Sequence, residues 1–477
     1  MIRSKFGLRS TSQPNASFRN WLYFLVGLIL VVKLVGLTVA PPGFYLDEAS
    51  GAANAICLRQ TGKSESNLLS PIFFPTPRPA APFPPTLIYF NALWSLLFGD
   101  SPWAFRMSAA FFSLLSLAGV YKLVRLFASK EAALLSIVLM GFSPPLFQFG
   151  RIAWEASQTP AFLIWGMYFF FKPSTPKNGI TAGILLGLAA YTYAPARAFV
   201  LLFLPFGLLA KVRVKQFVWS WFFAATLSFL IISIPLIRAT LDGNLQSRFD
   251  LVIITNPNYL AENGGSDPLN ILRLFILNFL AHLSPQFLFF TGDINPRHSA
   301  QIWGEISLPE LVTLLIGFAF LIYRFRRDKS VNSLKTGSAP WALFFFLLFF
   351  LGLVPPALTW ESVPHALRGI CAWPFIGISA ALFYDCFATS WREAKTIIIG
   401  SCLLFASFFY PYYFAYYPIT AESLFDVPAG KAFDEYKGQK ALPRQMIERA
   451  KVYAVPASRY HMMRVLGITC ADTRALL

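Results

Sequence analysis

Apolar positions in this chain fall into long uninterrupted runs parted by short polar links, the pattern of membrane crossings rather than of amphipathic surface helices. Runs near 21–40, 103–127, 132–149, 158–171, 180–194, 197–210, 216–237, 308–323, 340–358, 367–386 and 396–416 predict an all-α polytopic bundle of about 11 transmembrane helices. The first run follows Arg3, Lys5, Arg9 and Arg19. At about 20 residues it is long enough to cross roughly 30 Å of hydrocarbon. Ala40-Pro41-Pro42 is a poor cleavage site, so the run is read as a retained span. Ile180–Ala210 is interrupted at Tyr191–Arg197 and is read as two short helices turning at Pro195. Ile271–Leu283, apolar but short, is read as an interfacial helix rather than a span.

The polar links sort by charge. Lys122–Glu131, Lys172–Asn178, Lys211–Lys215, Arg324–Lys335 and Arg392–Lys395 are rich in Lys and Arg, and all fall on one side if the N-terminus is cytoplasmic. Residues 1–20 are then a cytoplasmic N-terminus, and 21–418 the membrane domain, with outer loops at 41–101 and 238–308. Residues 419–477 form an extracytoplasmic tail. Its Lys431, Lys437, Lys440, Arg444, Arg449 and Lys451 fit the outside poorly, although the charge rule weakens for long segments. The first outer loop carries Pro71, Pro75, Pro77, Pro79, Pro82, Pro84 and Pro85, too many for one long helix.

Composition agrees with a lipid solvent. Of 477 residues, 56% are apolar and 13% charged, against about 25% charged in soluble domains. The net charge of +17 is dispersed in links between apolar runs, which argues against a nucleic-acid partner. The five cysteines show neither metal-ligand spacing nor a disulfide framework; Cys57 and Cys470 both fall outside the membrane and are able to pair.

Candidate chemistry gathers on the outer side. Asp47 and Glu48 follow the first span within the apolar surroundings of Phe44, Tyr45, Leu46 and Ala49. Partial desolvation raises a carboxylate's pKa and makes it a better base, whereas the plain alternative is a solvated loop pair. Neighbouring helical residues diverge by about 100°, so one acts on substrate and the other on a metal, an arginine or the scaffold. Arg151 and Glu155 share a helix face at i and i+4, beside Trp154, as a local ion pair or as a substrate contact and a second acid. Gly292–Ser299 packs Asp293, Asn295, Arg297 and His298 into eight residues, and His365 with Arg368 repeats the His/Arg pairing. Guanidinium forks match phosphate oxygens, so Arg297, His298, Arg368, His365 and Arg197 are read as anion-binding, with Arg106 a further candidate. Headgroup anchoring is the plain alternative for the arginines at span ends.

The order of these motifs resembles the GT-C type membrane glycosyltransferases, which include protein O-mannosyltransferases and aminoarabinose transferases acting on lipid A. Asp47-Glu48 is similar to their acidic motif in the first outer loop. Ser101–Ser108 is similar to the start of their second span, and Phe149–Glu155 to the stretch before the fourth, where Glu155 replaces an acid that is often Asp. Tyr191–Arg197, Asn295–Ser299 and His365–Arg368 resemble features of bacterial members, and the likeness covers about residues 20–420. The resemblance implies a GT-C-like bundle and an inverting transferase taking a sugar from a polyprenyl-phosphate donor. The acceptor hydroxyl, on a lipid, glycan or protein, would attack the anomeric carbon at the outer face of the plasma membrane. Asp47 would be the base, with Glu48 and Glu155 as further catalytic acids, and Arg151, Tyr191, Tyr193, Asp293 and Asn295 as substrate contacts. Asp47 and Glu48 offer hard oxygen ligands suited to Mg or Mn, although the chemistry does not require a metal. A transporter or flippase of lipid-linked sugars is the alternative; it would place ionisable groups at the bilayer midplane, where Lys33 is the notable charge.

Overall fold

The computed structural model describes residues 16–69, 73–74, 82–242, 250–328, 337–437, 445–448 and 455–476. Arg3, Lys5 and Arg9, prolines 71, 75, 77 and 79, all of Lys329–Lys335, and Lys440, Arg444, Arg449 and Lys451 lie outside the described residues. The architecture is helical, with strand-type pairing among the described residues limited to isolated bridges such as Ile253 with Thr359. Eight helices among the described residues are long and apolar enough to cross a membrane, and the chain is a multi-pass membrane protein.

Four of the expected crossings are shorter. Residues 132–149 form Lys130–Phe142 and Pro144–Phe149, divided at Ser143, where Pro144 withdraws a backbone donor. Thr159–Phe171 has 13 residues, Pro176–Thr192 has 17 and Trp373–Phe387 has 15. Thr159–Phe171 and Trp373–Phe387 are mostly buried in protein, which lets short helices and their ends persist at membrane depth. Conversely, the expected interfacial helix belongs to Pro268–Phe290, a stretch with the length and apolarity of a span. It divides into the helix Pro268–Ala281 and a π-helical turn at Gln286–Phe290. Asn278 near its end donates to Thr359 O at 2.8 Å, so this end stays with the loops.

Local signals set the helix starts. Ser101 Oγ accepts from Ala104 N and Thr175 Oγ1 from Asn178 N, each with a proline next in the chain, where its missing N–H is harmless. The break between Pro176–Thr192 and Ala194–Arg213 falls at Tyr193, whose backbone is extended. The pair then turns back, because Lys211 at the far end donates to Ser174 Oγ at 2.6 Å. Trp219–Leu241 therefore runs parallel to Pro176–Thr192 and packs against its stripe of Gly179, Gly183 and Gly187. A Cβ at Gly183 would lie 2.3 Å from Ala225 O, so only glycine allows this approach.

The loops separate into two ends. At one, Lys395 pairs with Glu131 at 3.3 Å, Asp385 accepts from Ser129 N, and Lys211 approaches Lys172 O. These are the basic links. At the other, the acidic and histidine-bearing segments meet, and the tail helices Val455–Leu466 and Cys470–Leu476 pack on Leu46–Thr61. The Cys57–Cys470 disulfide joins them.

Candidate functional site

Asp47 and Glu48 open the Leu46–Thr61 helix, and they part as neighbouring helical residues must. Glu48 is 1% exposed. Its carboxylate takes Arg106 Nε at 2.9 Å and Nη2 at 2.7 Å, and accepts from Tyr45 N at 3.1 Å and Ala153 N at 2.8 Å. A buried carboxylate needs this saturation; the acid expected in catalysis or metal binding and the guanidinium expected to bind an anion are found bonded to each other. Asp47 is half-buried on the other side of the turn. Its charge is felt at Glu155, whose carboxyl is pushed up to about 7 by burial and then by Asp47. The two acids therefore share one neighbourhood.

Glu155 opens a single 3-10 turn, Glu155–Gln158. Around it Trp154 Nε1, Ser157 Oγ and Gln158 Oε1 are buried without a hydrogen-bond partner among the described residues, which leaves them open to water or substrate. Ser157 and Gln158 escaped sequence reasoning, since one polar pair beside a span start carries no signal. Arg151 does not join Glu155. Its guanidinium donates to Val32 O at 2.7 Å, Val35 O at 2.7 Å and Ala40 O at 2.9 Å, capping the carbonyls at the end of Ala16–Leu34. Lys33 is likewise held by Ser113 Oγ at 2.9 Å and Leu146 O at 3.3 Å.

Arg297 reaches the acidic helix. Its guanidinium lies 4.7 Å from the Tyr45 ring centroid and hydrogen-bonds the Tyr45 hydroxyl. The backbone behind it is fixed: Gln148 Nε2 donates to Arg297 O at 3.0 Å, and Tyr417 OH to Pro296 O at 2.6 Å. Asn295 Oδ1 accepts from Arg297 N at 3.1 Å, so Asn295 shapes the turn that carries Arg297. Tyr45, which the sequence marks only as apolar, thus holds Arg297 two residues before Asp47.

Three of the four histidines gather behind Arg297. His298 Nδ1 lies 3.0 Å from Asp293 Oδ2, and its ring stacks on His365 with centroids 4.5 Å apart. Asp293 Oδ2 also accepts from Ala366 N at 2.8 Å, and His282 Nε2 accepts from His365 N at 3.0 Å. Asp293, 1% exposed, thus orients His298 and the His365 loop. Burial, followed by the charge of His298 and Arg368, pushes His365 well below the usual imidazole range, so it is neutral. Burial, then Asp293, pushes Glu305 well above the carboxylate range, and Glu305 accepts from Asp293 N at 2.8 Å. Asp293, His298 and His365 present ligand atoms within 4.8 Å of one another, a better metal constellation than Asp47 with Glu48.

The remaining candidates are dispersed. Arg368 is engaged by Thr359 Oγ1 at 2.9 Å and Glu361 Oε2 at 2.9 Å, which occupies the fork expected to hold phosphate. Arg197 donates to Ala190 O at 3.2 Å and lies 5.6 Å over Phe73. Tyr191 OH donates to Ile232 O at 2.8 Å and accepts from Leu236 N at 3.1 Å, spanning the helix bond that Pro235 distorts. Tyr193 is the extended residue at the helix break.

Residues 82–237 match the family model for dolichyl-phosphate-mannose-protein mannosyltransferase. No protein of curated function matches the chain significantly. ArnT from Cupriavidus metallidurans, solved bound to undecaprenyl phosphate, is similar at 16% identity and a TM-score of 0.45, over 96% of this chain and 77% of that one. The Archaeoglobus fulgidus oligosaccharyltransferase in its apo form is similar at 14% identity and a TM-score of 0.48, over 93% of this chain and 60% of that one. AglB from the same archaeon, in complex with an inhibitory peptide and a dolichol-phosphate, gives 13%, 0.43, 88% and 58% for the same quantities. In residues 82–237, which hold Arg106, Glu155, Tyr191 and Arg197, the chain is thus similar to a membrane mannosyltransferase family, in line with the resemblance that the motifs carry.

Proposed function

We propose that the protein moves a sugar from a polyprenyl-phosphate donor to an acceptor hydroxyl, with inversion, at a site formed by Asp47 and Arg297. The observation that carries this reading is that Asp47 lies near Glu155, an acid with a raised pKa, while Arg297 stacks on Tyr45, two residues before Asp47. Asp47 takes the acceptor proton as the acceptor oxygen bonds the anomeric carbon, and the bond from that carbon to the donor phosphate breaks. A single displacement inverts the centre. Charge growing on the departing phosphate is met by Arg297, a preorganised donor already fixed by Gln148 and Asn295. Buried Trp154 Nε1, Ser157 Oγ and Gln158 Oε1 suit a hydroxyl-rich substrate. The family matched by residues 82–237 is named for a dolichyl-phosphate-mannose donor, which supports a lipid-linked sugar as substrate.

The site is assigned to the extracytoplasmic face of the plasma membrane. Supporting this are the Cys57–Cys470 disulfide at its end of the bundle, which favours an oxidising compartment, and the basic links at the opposite end. The imidazoles of His298 and His365 with the Asp293 carboxylate fit a nitrogen-preferring divalent ion such as zinc better than Mg or Mn. An ion held there would add positive charge beside Arg297.

The test uses the full chain in nanodiscs with labelled polyprenyl-phosphate mannose, glucose, galactose and arabinose, reading sugar released from lipid. Wild type should turn over at least one donor. Asp47→Asn should lose about 10²–10⁴-fold in kcat, the usual share of a general base, while undecaprenyl phosphate binds within about threefold of wild type. No turnover on any donor, or an unaffected Asp47→Asn, would overturn the reading.

A further inference from the structure

We infer that Asp426 is a positioning residue for this reaction: together with the Cys57–Cys470 disulfide it holds the Leu46–Thr61 helix at both ends and so sets where Asp47 points. The inference rests on the proposed role of Asp47. Leu46 is the first residue of that helix, and its N–H is one of the donors that no preceding turn can satisfy. The residue before it, Tyr45, supplies no side-chain cap. The acceptor comes instead from the C-terminal segment, 380 residues away: Asp426 Oδ2 lies 2.7 Å from Leu46 N. A carboxylate also suits the positive end of the helix dipole.

Asp47 therefore sits between two anchored positions. On one side Leu46 is tied to Asp426; on the other Glu48 is tied to Arg106. The segment bearing Asp426 is itself fixed. Asp426 has φ 54°, a left-handed conformation that non-glycine residues adopt only when packing holds them there. Phe425 beside it is buried against Tyr45, with ring centroids 6.2 Å apart, and against Tyr417 at 6.5 Å. Gly43 presses on the same segment so closely that a Cβ there would lie 2.3 Å from Phe425 O.

The far end of the helix is tied to the same tail. Cys470 is bonded to Cys57, and its N–H donates to Gln60 Oε1 at 2.9 Å. Arg459 and Arg474 both donate to Glu65 O, at 2.8 and 3.1 Å, just beyond the helix. Tyr460 packs on Phe44 at 5.0 Å, in front of the first turn. A tail that held the helix only for stability would need the disulfide and this packing; the carboxylate aimed at Leu46 N acts on the turn that carries Asp47.

Misplacement of a reacting group by about 1 Å costs on the order of 10²-fold. With a donor that wild type turns over, Asp426→Ala should lower kcat by about 10–100-fold and leave KM for that donor within about threefold. Asp426→Asn keeps an oxygen that can accept from Leu46 N and should restore kcat to within about threefold of wild type. Complete reduction of Cys57–Cys470 in wild-type protein, followed by thiol labelling, should lower kcat in the same sense. It needs no substitution, so it decides the matter if Asp426→Ala fails to fold. An unchanged kcat in folded Asp426→Ala or in fully reduced wild type, or a rise in KM without a fall in kcat, overturns the inference. If Asp47→Asn is inactive while Asp426→Ala and the reduced protein are normal, only the positioning claim falls. If Asp47→Asn turns over normally, the base itself is lost and the positioning claim with it.

Discussion

Two adjacent acids, Asp47 and Glu48, diverge as their helical spacing implies, but which of the two meets an arginine is not legible in the sequence. Glu48 is buried in a bidentate pair with Arg106, and removing one partner of such a pair costs about 3–5 kcal/mol. Glu48→Ala should therefore lower the thermal midpoint sharply in detergent, whereas Asp47→Ala should leave it nearly unchanged and remove turnover. Equal losses of stability would contradict this division of labour. Glu155 gives a pH signature. Burial and Asp47 lift its pKa from 4.5 to about 7, so the folded chain holds a proton that the unfolded chain releases. Its contribution is fully present below about pH 4.5 and is lost as pH rises toward 7, a loss of about 1–3 kcal/mol. Glu155→Gln should flatten the fall in thermal midpoint between pH 5 and pH 7.5; an identical slope in both proteins would exclude the raised pKa.

At the scale of elements, the site depends on short irregular pieces braced by long helices. Arg297 stands on a turn held by Gln148 and Tyr417, and it faces the first turn of Leu46–Thr61. Arg297→Ala should weaken undecaprenyl phosphate binding about tenfold or more, and Arg297→Lys should recover little, because an ammonium lacks the planar fork. Unchanged affinity in Arg297→Ala would place the phosphate elsewhere. The apolar runs made the helices legible, and the break at Tyr193 was legible through Pro195 and its polar neighbours. Helix lengths were less so, because Thr159–Phe171 and Trp373–Phe387 are lined by protein, and burial looks the same in sequence as lipid exposure. The partners of Arg151, Tyr191 and Arg368 were illegible for a different reason. Each side chain is satisfied by backbone carbonyls or a nearby loop, and such partners have no sequence signature.

Across the whole molecule, charge and chemistry lie at opposite ends. Lys395, Lys211 and their links mark one end; the acids, histidines and disulfide mark the other. The tail is legible only in three dimensions, since its grip on the acidic helix spans 380 residues at Asp426 and 413 at Cys470. Replacing both Cys57 and Cys470 by Ser should cost about 2–5 kcal/mol of stability, read as a lower thermal midpoint; an unchanged midpoint would show that packing alone holds the tail. The most direct test of the account is a cryo-EM structure of the full chain in nanodiscs with undecaprenyl phosphate. The lipid phosphate should lie within about 3 Å of the Arg297 guanidinium, in a cavity that opens onto Asp47. A phosphate held instead among Lys211, Lys172 and Lys395 at the other end of the bundle would contradict it.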